Sequence, residues 1–226
     1  MNTAFRLFLL AALFLNLSAF AFAGQSFVTG VAPNAPLPAY GHELITFDDL
    51  GGDMTPIPQG YAYLGWGDYS WYLNGVNYFN NIGPNGYTNG MISSPNVAFS
   101  AFEQPFDIYK GPSSGFILNN GYITAAWDNG LDIQVDGYWQ GVDVISGNFT
   151  INATGPTYFY ATGPVLIDTL IFQSTCGTGC VSAGYSGAGS HFALDNLDVN
   201  TVPEPTTMVL LGTGILGLAS RLRKRV

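Results

Sequence analysis

The chain has 226 residues, with 15 acids against 6 Lys and Arg, a net charge of −9, and aromatic residues at 15%. Only one of those cations, Lys110, lies between Gly24 and Val202, where 14 of the acids fall, so this stretch carries a formal charge of −13. A field of that sign repels phosphate backbones and anionic lipid surfaces, which excludes nucleic acid as a partner and favours cations.

The first 23 residues have the order of a secretory signal peptide. Arg6 precedes an apolar run from Leu7 to Leu17, and Ala21-Phe22-Ala23 supplies the small-residue cleavage pattern, so signal peptidase is expected to cut between Ala23 and Gly24. Residues 24–42 hold Pro33, Pro36 and Pro38 with little periodicity and are expected to form a linker. The folded domain is expected over 43–201. Its richness in Gly, Asn, Tyr and Phe disfavours long helices and favours strands joined by tight turns.

Leu44–Phe47 reads as a first strand, with Ile45 and Phe47 on one face. From Gly60 to Asn89 no alternation holds, and long loops are expected. Strands are expected again at Asn96–Phe99, Gly115–Leu118 and Tyr122–Trp127. Asp128-Asn129-Gly130 then turns the chain into Leu131–Asp136, where Leu131, Ile133 and Val135 alternate with Asp132, Gln134 and Asp136. A hairpin tip is expected at Gly137–Gly141, followed by strands at Val142–Ile145, Phe149–Ile151, Tyr158–Tyr160, Val165–Phe172 and Phe192–Val199. Many short strands at near-regular spacing imply an all-β fold, an antiparallel β-sandwich of jelly-roll type.

Cys176 and Cys180 are the only cysteines, in Cys-Gly-Thr-Gly-Cys, and in an oxidising compartment they are expected to close a disulfide. Zinc would need further ligands, and His42 and His191 are the only histidines.

At the other end, residues 202–226 form a separate unit. Pro203 and Pro205 keep their neighbours extended; Thr206–Ser220 is uncharged and reads as a short apolar helix; Arg221, Arg223, Lys224 and Arg225 follow. Fifteen helical residues reach about 22 Å, short of the ~30 Å hydrocarbon core, and the cations hold the end in the cytoplasm while the body lies outside. Membrane association is expected through this segment alone, as a marginal transmembrane helix, before cleavage.

Val202-Pro203-Glu204-Pro205, the apolar segment and the Arg-rich end together resemble the PEP-CTERM sorting signal of Gram-negative exported proteins. The resemblance implies processing by a membrane peptidase of the exosortase type and delivery to the cell surface or extracellular polymer. A second resemblance is looser: Ile45–Leu50 and Phe192–Val199 look like the first and last strands of exported jelly-roll modules similar to carbohydrate-binding modules.

The chemistry expected of the body is binding. Glu43, Asp48, Asp49 and Asp195 are candidate ligands for a structural Ca²⁺, which takes six to eight oxygens. Trp66, Trp71 and Tyr72 in the loop region, and Tyr138 and Trp139 at the hairpin tip, are candidate platforms for a polysaccharide, since flat rings suit the C–H face of a pyranose while Asn, Asp and Gln take the hydroxyls. Trp127 shares a strand face with Ile123 and Ala125 and is expected in the core. Gly184-Tyr185-Ser186-Gly187-Ala188 departs from the nucleophile-elbow pattern, and no metalloprotease, P-loop or dinucleotide motif occurs, so no enzyme is expected. The other readings of the sequence are a purely structural matrix protein and a polysaccharide-active hydrolase.

Overall fold

In the computed structural model, residues 25–30, 41–111 and 114–201 are described. The signal peptide, the greater part of 24–42 and the C-terminal unit from Val202 lie outside them. Fifteen strands and two helices follow in chain order: β1 Phe27–Thr29, β2 His42–Ile45, β3 Thr55–Pro56, β4 Gly65–Trp66, β5 Ser70–Asn74, α1 Gly75–Ile82, α2 Gly86–Asn89, β6 Asn96–Ser100, β7 Phe106–Tyr109 and β8 Phe116–Ala125. Next come β9 Asp128–Asn129, β10 Leu131–Trp139, β11 Val142–Ile151, β12 Thr157–Ala161, β13 Thr169–Thr175, β14 Val181–Ser182 and β15 Phe192–Thr201.

They form two main antiparallel sheets, an all-β sandwich. The larger has the order β1-β12-β8-β15-β6-β5-β3, with β2 pairing β15 as well; the smaller runs β11-β10-β13-β7-β4. A ribbon of β9 and β14 stands apart. Between the sheets the core follows the period of two that alternation predicts: Leu131, Ile133 and Val135 are buried while Asp132, Gln134 and Asp136 are not. A run of rings crosses it, Trp66 against Phe47 and Phe106, Phe106 against Phe172, Phe172 against Phe159.

The last strand breaks strict alternation at one place. Asn196 adopts φ 49, and the pairing of β15 with β8 shifts between Asp195 and Asp198. The extra residue turns Leu194 and Leu197 into the core and leaves Asp195 and Asp198 on the opposite face, three residues apart, as a bulge does.

Three sequence expectations differ from the fold. The segment read as a linker contains β1, which pairs β12 with Phe27 opposite Ala161 and places the Phe27 ring in the core. The region read as long loops holds β4, β5 and both helices, because its asparagines act as caps: Asn77 N–H donates to Asn74 Oδ1 at 2.9 Å and Thr88 N–H to Asn85 Oδ1 at 2.9 Å. The helices cover part of the larger sheet's outer face, and a second core of Leu73, Tyr87, Val97, Phe99 and Trp127 forms beneath them. Trp127 is therefore buried as expected, but against Tyr78 and Tyr87. Finally, the hairpin tip is the two-residue turn Gln140-Gly141, φ 51 and 78, and Tyr138 and Trp139 belong to β10.

Among the described residues no helix is long and apolar enough to cross a membrane; the apolar segment Thr206–Ser220 lies outside them.

Candidate functional site

The polar candidates come first. Asp195 is fully buried, and its carboxylate accepts from Ile92 N–H at 2.6 Å, Ser93 N–H at 3.0 Å and Asn196 N–H at 2.7 Å. Burial pushes its pKa up to about 7 against the pull of those three amides, and the charge of Asp48 adds to the rise. Asp48 itself accepts from Asn96 N–H at 2.9 Å, and Asp49 from the Tyr61 hydroxyl at 2.6 Å. Thus Asp48 and Asp195 lie within electrostatic reach, while Asp49 is engaged elsewhere and Glu43 sits on β2 opposite Val199. The four do not gather as one ligand set. Among the described residues the one group of three potential metal-ligating side chains within 4.8 Å is Asp128, Cys176 and Cys180. In that group the two sulfurs are bonded to each other, the disulfide expected from the sequence.

Of the aromatic candidates, two are core residues. Trp66 has no exposed surface; its Nε1–H donates to the Tyr61 carbonyl at 3.0 Å. Tyr72 is buried too, with its hydroxyl on the Gly51 carbonyl. Neither can meet a saccharide in this fold. Their side of the strand decides it: in β5, Tyr72 points inward while Trp71, one residue earlier, stands on the other face and is half-buried. Tyr138 and Trp139 are also half-buried, and Trp139 lies against Gly115.

Trp71 is joined by two rings that the sequence did not single out. Phe102 is 67% exposed and lies 5.6 Å from Trp71, edge to face; Tyr69, 43% exposed, lies 6.4 Å from Phe102. The cause is the backbone. Phe102 and Glu103, in the tight turn Ala101–Glu103 between β6 and β7, both adopt left-handed conformations, φ 57 and 59. Side chains with a Cβ resist that region, so the turn must be held by its surroundings. It is held at Glu103, whose Oε2 accepts from Ser190 N–H at 3.2 Å and Ser190 Oγ at 2.9 Å. These bonds bring the Glu103 pKa below the ordinary carboxylate range, so the group is charged at neutral pH. Asp68, whose carbonyl takes Trp71 Nε1–H at 2.9 Å, and Gln104 are exposed beside the rings. The result is a solvent-facing aromatic cluster with polar groups at its rim.

A second aromatic row runs along the larger sheet's outer face. The Tyr122 and Tyr158 rings are 5.1 Å apart, and Tyr158 and Tyr160 6.1 Å. Asp198 borders it, accepting from Asn119 Nδ2 at 2.8 Å and pairing with His42 at 3.1 Å. These tyrosines are half-buried and pack on one another.

Fold and surface thus define an antiparallel β-sandwich that presents aromatic rings to solvent. From the final residue of β15 onward the chain carries the PEP-CTERM protein-sorting motif, whose family model matches residues 201–224. The motif indicates an exported, surface-sorted protein, transiently tied to the membrane and processed by an exosortase. No curated protein matches the chain.

Proposed function

We propose that the body is a non-enzymatic component of the Gram-negative cell surface or extracellular polymer matrix, and that it binds polysaccharide through Trp71, Phe102 and Tyr69. The observation that carries this reading is the 67% exposure of Phe102 in a left-handed turn clamped by Glu103. Placing a large ring in water on a strained backbone works against stability, and such arrangements persist where a ligand uses them. The C–H face of a sugar stacks on the rings, and Asp68 and Gln104 take its hydroxyls.

A glycan array on the secreted chain tests this. Retention of a specific polysaccharide that is lost in Phe102→Ala supports the reading. Retention of none favours a purely structural role, and product release dependent on one carboxylate would make the protein a hydrolase.

For calcium we propose a narrower pair of carboxylate ligands than the four expected from the sequence, Asp48 and Asp195. Asp48 and Asp195 repel each other, and Asn96, whose N–H meets Asp48, holds a buried side-chain Oδ1 with no partner. Two mutually repelling carboxylates suit a hard cation, and a Ca²⁺ between them would offset the repulsion.

A further inference from the structure

The charge around the exposed rings narrows the class of sugar. Between Gly24 and Val202 the 14 acids face one Lys or Arg, Lys110, which follows β7, whereas the turn that carries Phe102 precedes that strand. Of these acids the exposed ones are Asp49, Asp53, Asp68, Glu103 and Asp143. Two of them adjoin the aromatic cluster in sequence: Asp68 comes directly before Tyr69, and Glu103 directly after Phe102.

Both are fixed there. The Asp68 carbonyl accepts from Trp71 Nε1–H at 2.9 Å, which sets residue 68 at the edge of the indole, and the Glu103 side chain is anchored by two donors of Ser190. Those donors are neutral, so they hold the carboxylate in place without cancelling its charge. Phe102 lies 5.6 Å from Trp71 and 6.4 Å from Tyr69, so rings and carboxylates share one stretch of surface.

A ring face with a carboxylate at its edge is what an ammonium group seeks. The ring attracts the cation through its quadrupole, Trp most strongly, and the carboxylate adds a charge-assisted hydrogen bond. A neutral pyranose uses the rings and leaves the two negative charges without a counterpart. A lysine-rich peptide meets the charges but offers no flat C–H face to the rings. The formal charge of −13 on the body acts in the same direction, drawing a polycation in and repelling a polyanion.

We propose that the polymer bound at Tyr69, Trp71 and Phe102 is cationic, a polysaccharide of amino sugars with free, protonated amines. Its pyranose faces stack on the rings while an ammonium pairs with Asp68 in the field of Glu103. This class rests on the saccharide reading of the cluster. It makes the rings the source of affinity and the acids of the rim the source of selectivity.

The test is calorimetric titration of the secreted chain with a β-linked glucosamine oligomer and with its fully N-acetylated counterpart, at about pH 5.5, well below the range of an α-amino group. The free-amine oligomer is expected to bind at least about tenfold more tightly at low salt. That advantage shrinks several-fold as ionic strength rises to about 1 M, where charges are screened beyond about 3 Å. Asp68→Asn, a change in an exposed side chain, lowers the ratio of the two affinities several-fold. Asp143→Asn, which removes one charge from the β10–β11 hairpin, keeps the ratio, and Phe102→Ala weakens both oligomers. Equal affinities, a ratio that Asp143→Asn lowers as much as Asp68→Asn, or an oligolysine bound as tightly as the amino sugar overturns the cationic class. The saccharide reading survives those results where a neutral glycan is still retained through Phe102, and falls with the cationic class where no glycan is retained.

Discussion

Glu103 receives both the backbone N–H and the hydroxyl of Ser190, at 3.2 and 2.9 Å, and this pair of bonds ties the turn that carries Phe102 to the segment leading into β15. The clamp gives a first prediction. Glu103→Ala leaves both Ser190 donors without their acceptor and releases the left-handed turn, at a cost of roughly 1 kcal/mol. The urea midpoint falls accordingly, and saccharide binding weakens although no residue of the cluster has changed. The sign with pH is that of a depressed carboxylate: the contribution is present above the ordinary Glu range and is lost as pH falls through the lowered pKa. An unchanged midpoint together with unchanged binding would show that the turn holds itself.

Trp66 and Trp71 separate packing from recognition. Trp66→Ala empties a fully buried site and orphans the Tyr61 carbonyl, and is expected to cost about 3–5 kcal/mol. Trp71→Ala acts on a half-buried ring; its melting temperature shifts far less, while it loses binding. Thermal unfolding of both variants checks the contrast.

Asp195 makes stability depend on pH in the opposite sense to Glu103. Its folded pKa, about 7, lies above the unfolded value near 4, so the native state binds the extra proton between those limits. Stability is highest below that window and falls as pH rises from about 4 to about 7, by at most on the order of 4 kcal/mol, then levels off. In Asp195→Asn this slope disappears, though the variant is less stable because an amide nitrogen now faces backbone donors. Under the proposal that Ca²⁺ binds Asp48 and Asp195, added calcium is expected to flatten the wild-type slope by favouring the charged pair. Urea midpoints at several pH values, with calcium and with chelator, read both effects; a chelator-independent profile removes the ion.

Reduction of Cys176–Cys180 opens a short loop next to β14. The chain-entropy relation gives about 2 kcal/mol for a ring of this size. A melting temperature lower under reductant, and unaltered by zinc chelators, is the expected result.

Much of this fold can be read from residue order. The alternation in Leu131–Asp136 and the Cys-x-x-x-Cys spacing are local signals, and local signals survive into the structure. What stays hidden depends on distant partners or on backbone choice. Phe27 is a core residue because β12, more than a hundred residues onward, pairs with it, and no neighbour announces that. Trp66 and Trp71 look alike in a region dense in Gly and Tyr; only the parity of two short strands sends one inward and leaves the other at the surface. Asn74 and Asn85 suggest loops by composition yet act as helix caps. Phe102 stays hidden because an ordinary Phe-Glu pair gives no sign of a left-handed turn, although the same device recurs at Ala62 and Tyr63.

The most direct test is calorimetric titration of the native extracellular polysaccharide into the secreted wild-type chain and into Phe102→Ala, two proteins expected to melt within a few degrees of each other. Saturable binding by the wild type, weakened at least about tenfold in the variant, is the outcome required by a saccharide-binding cluster at Tyr69, Trp71 and Phe102. Equal affinity in the two chains, or no heat from either, contradicts it.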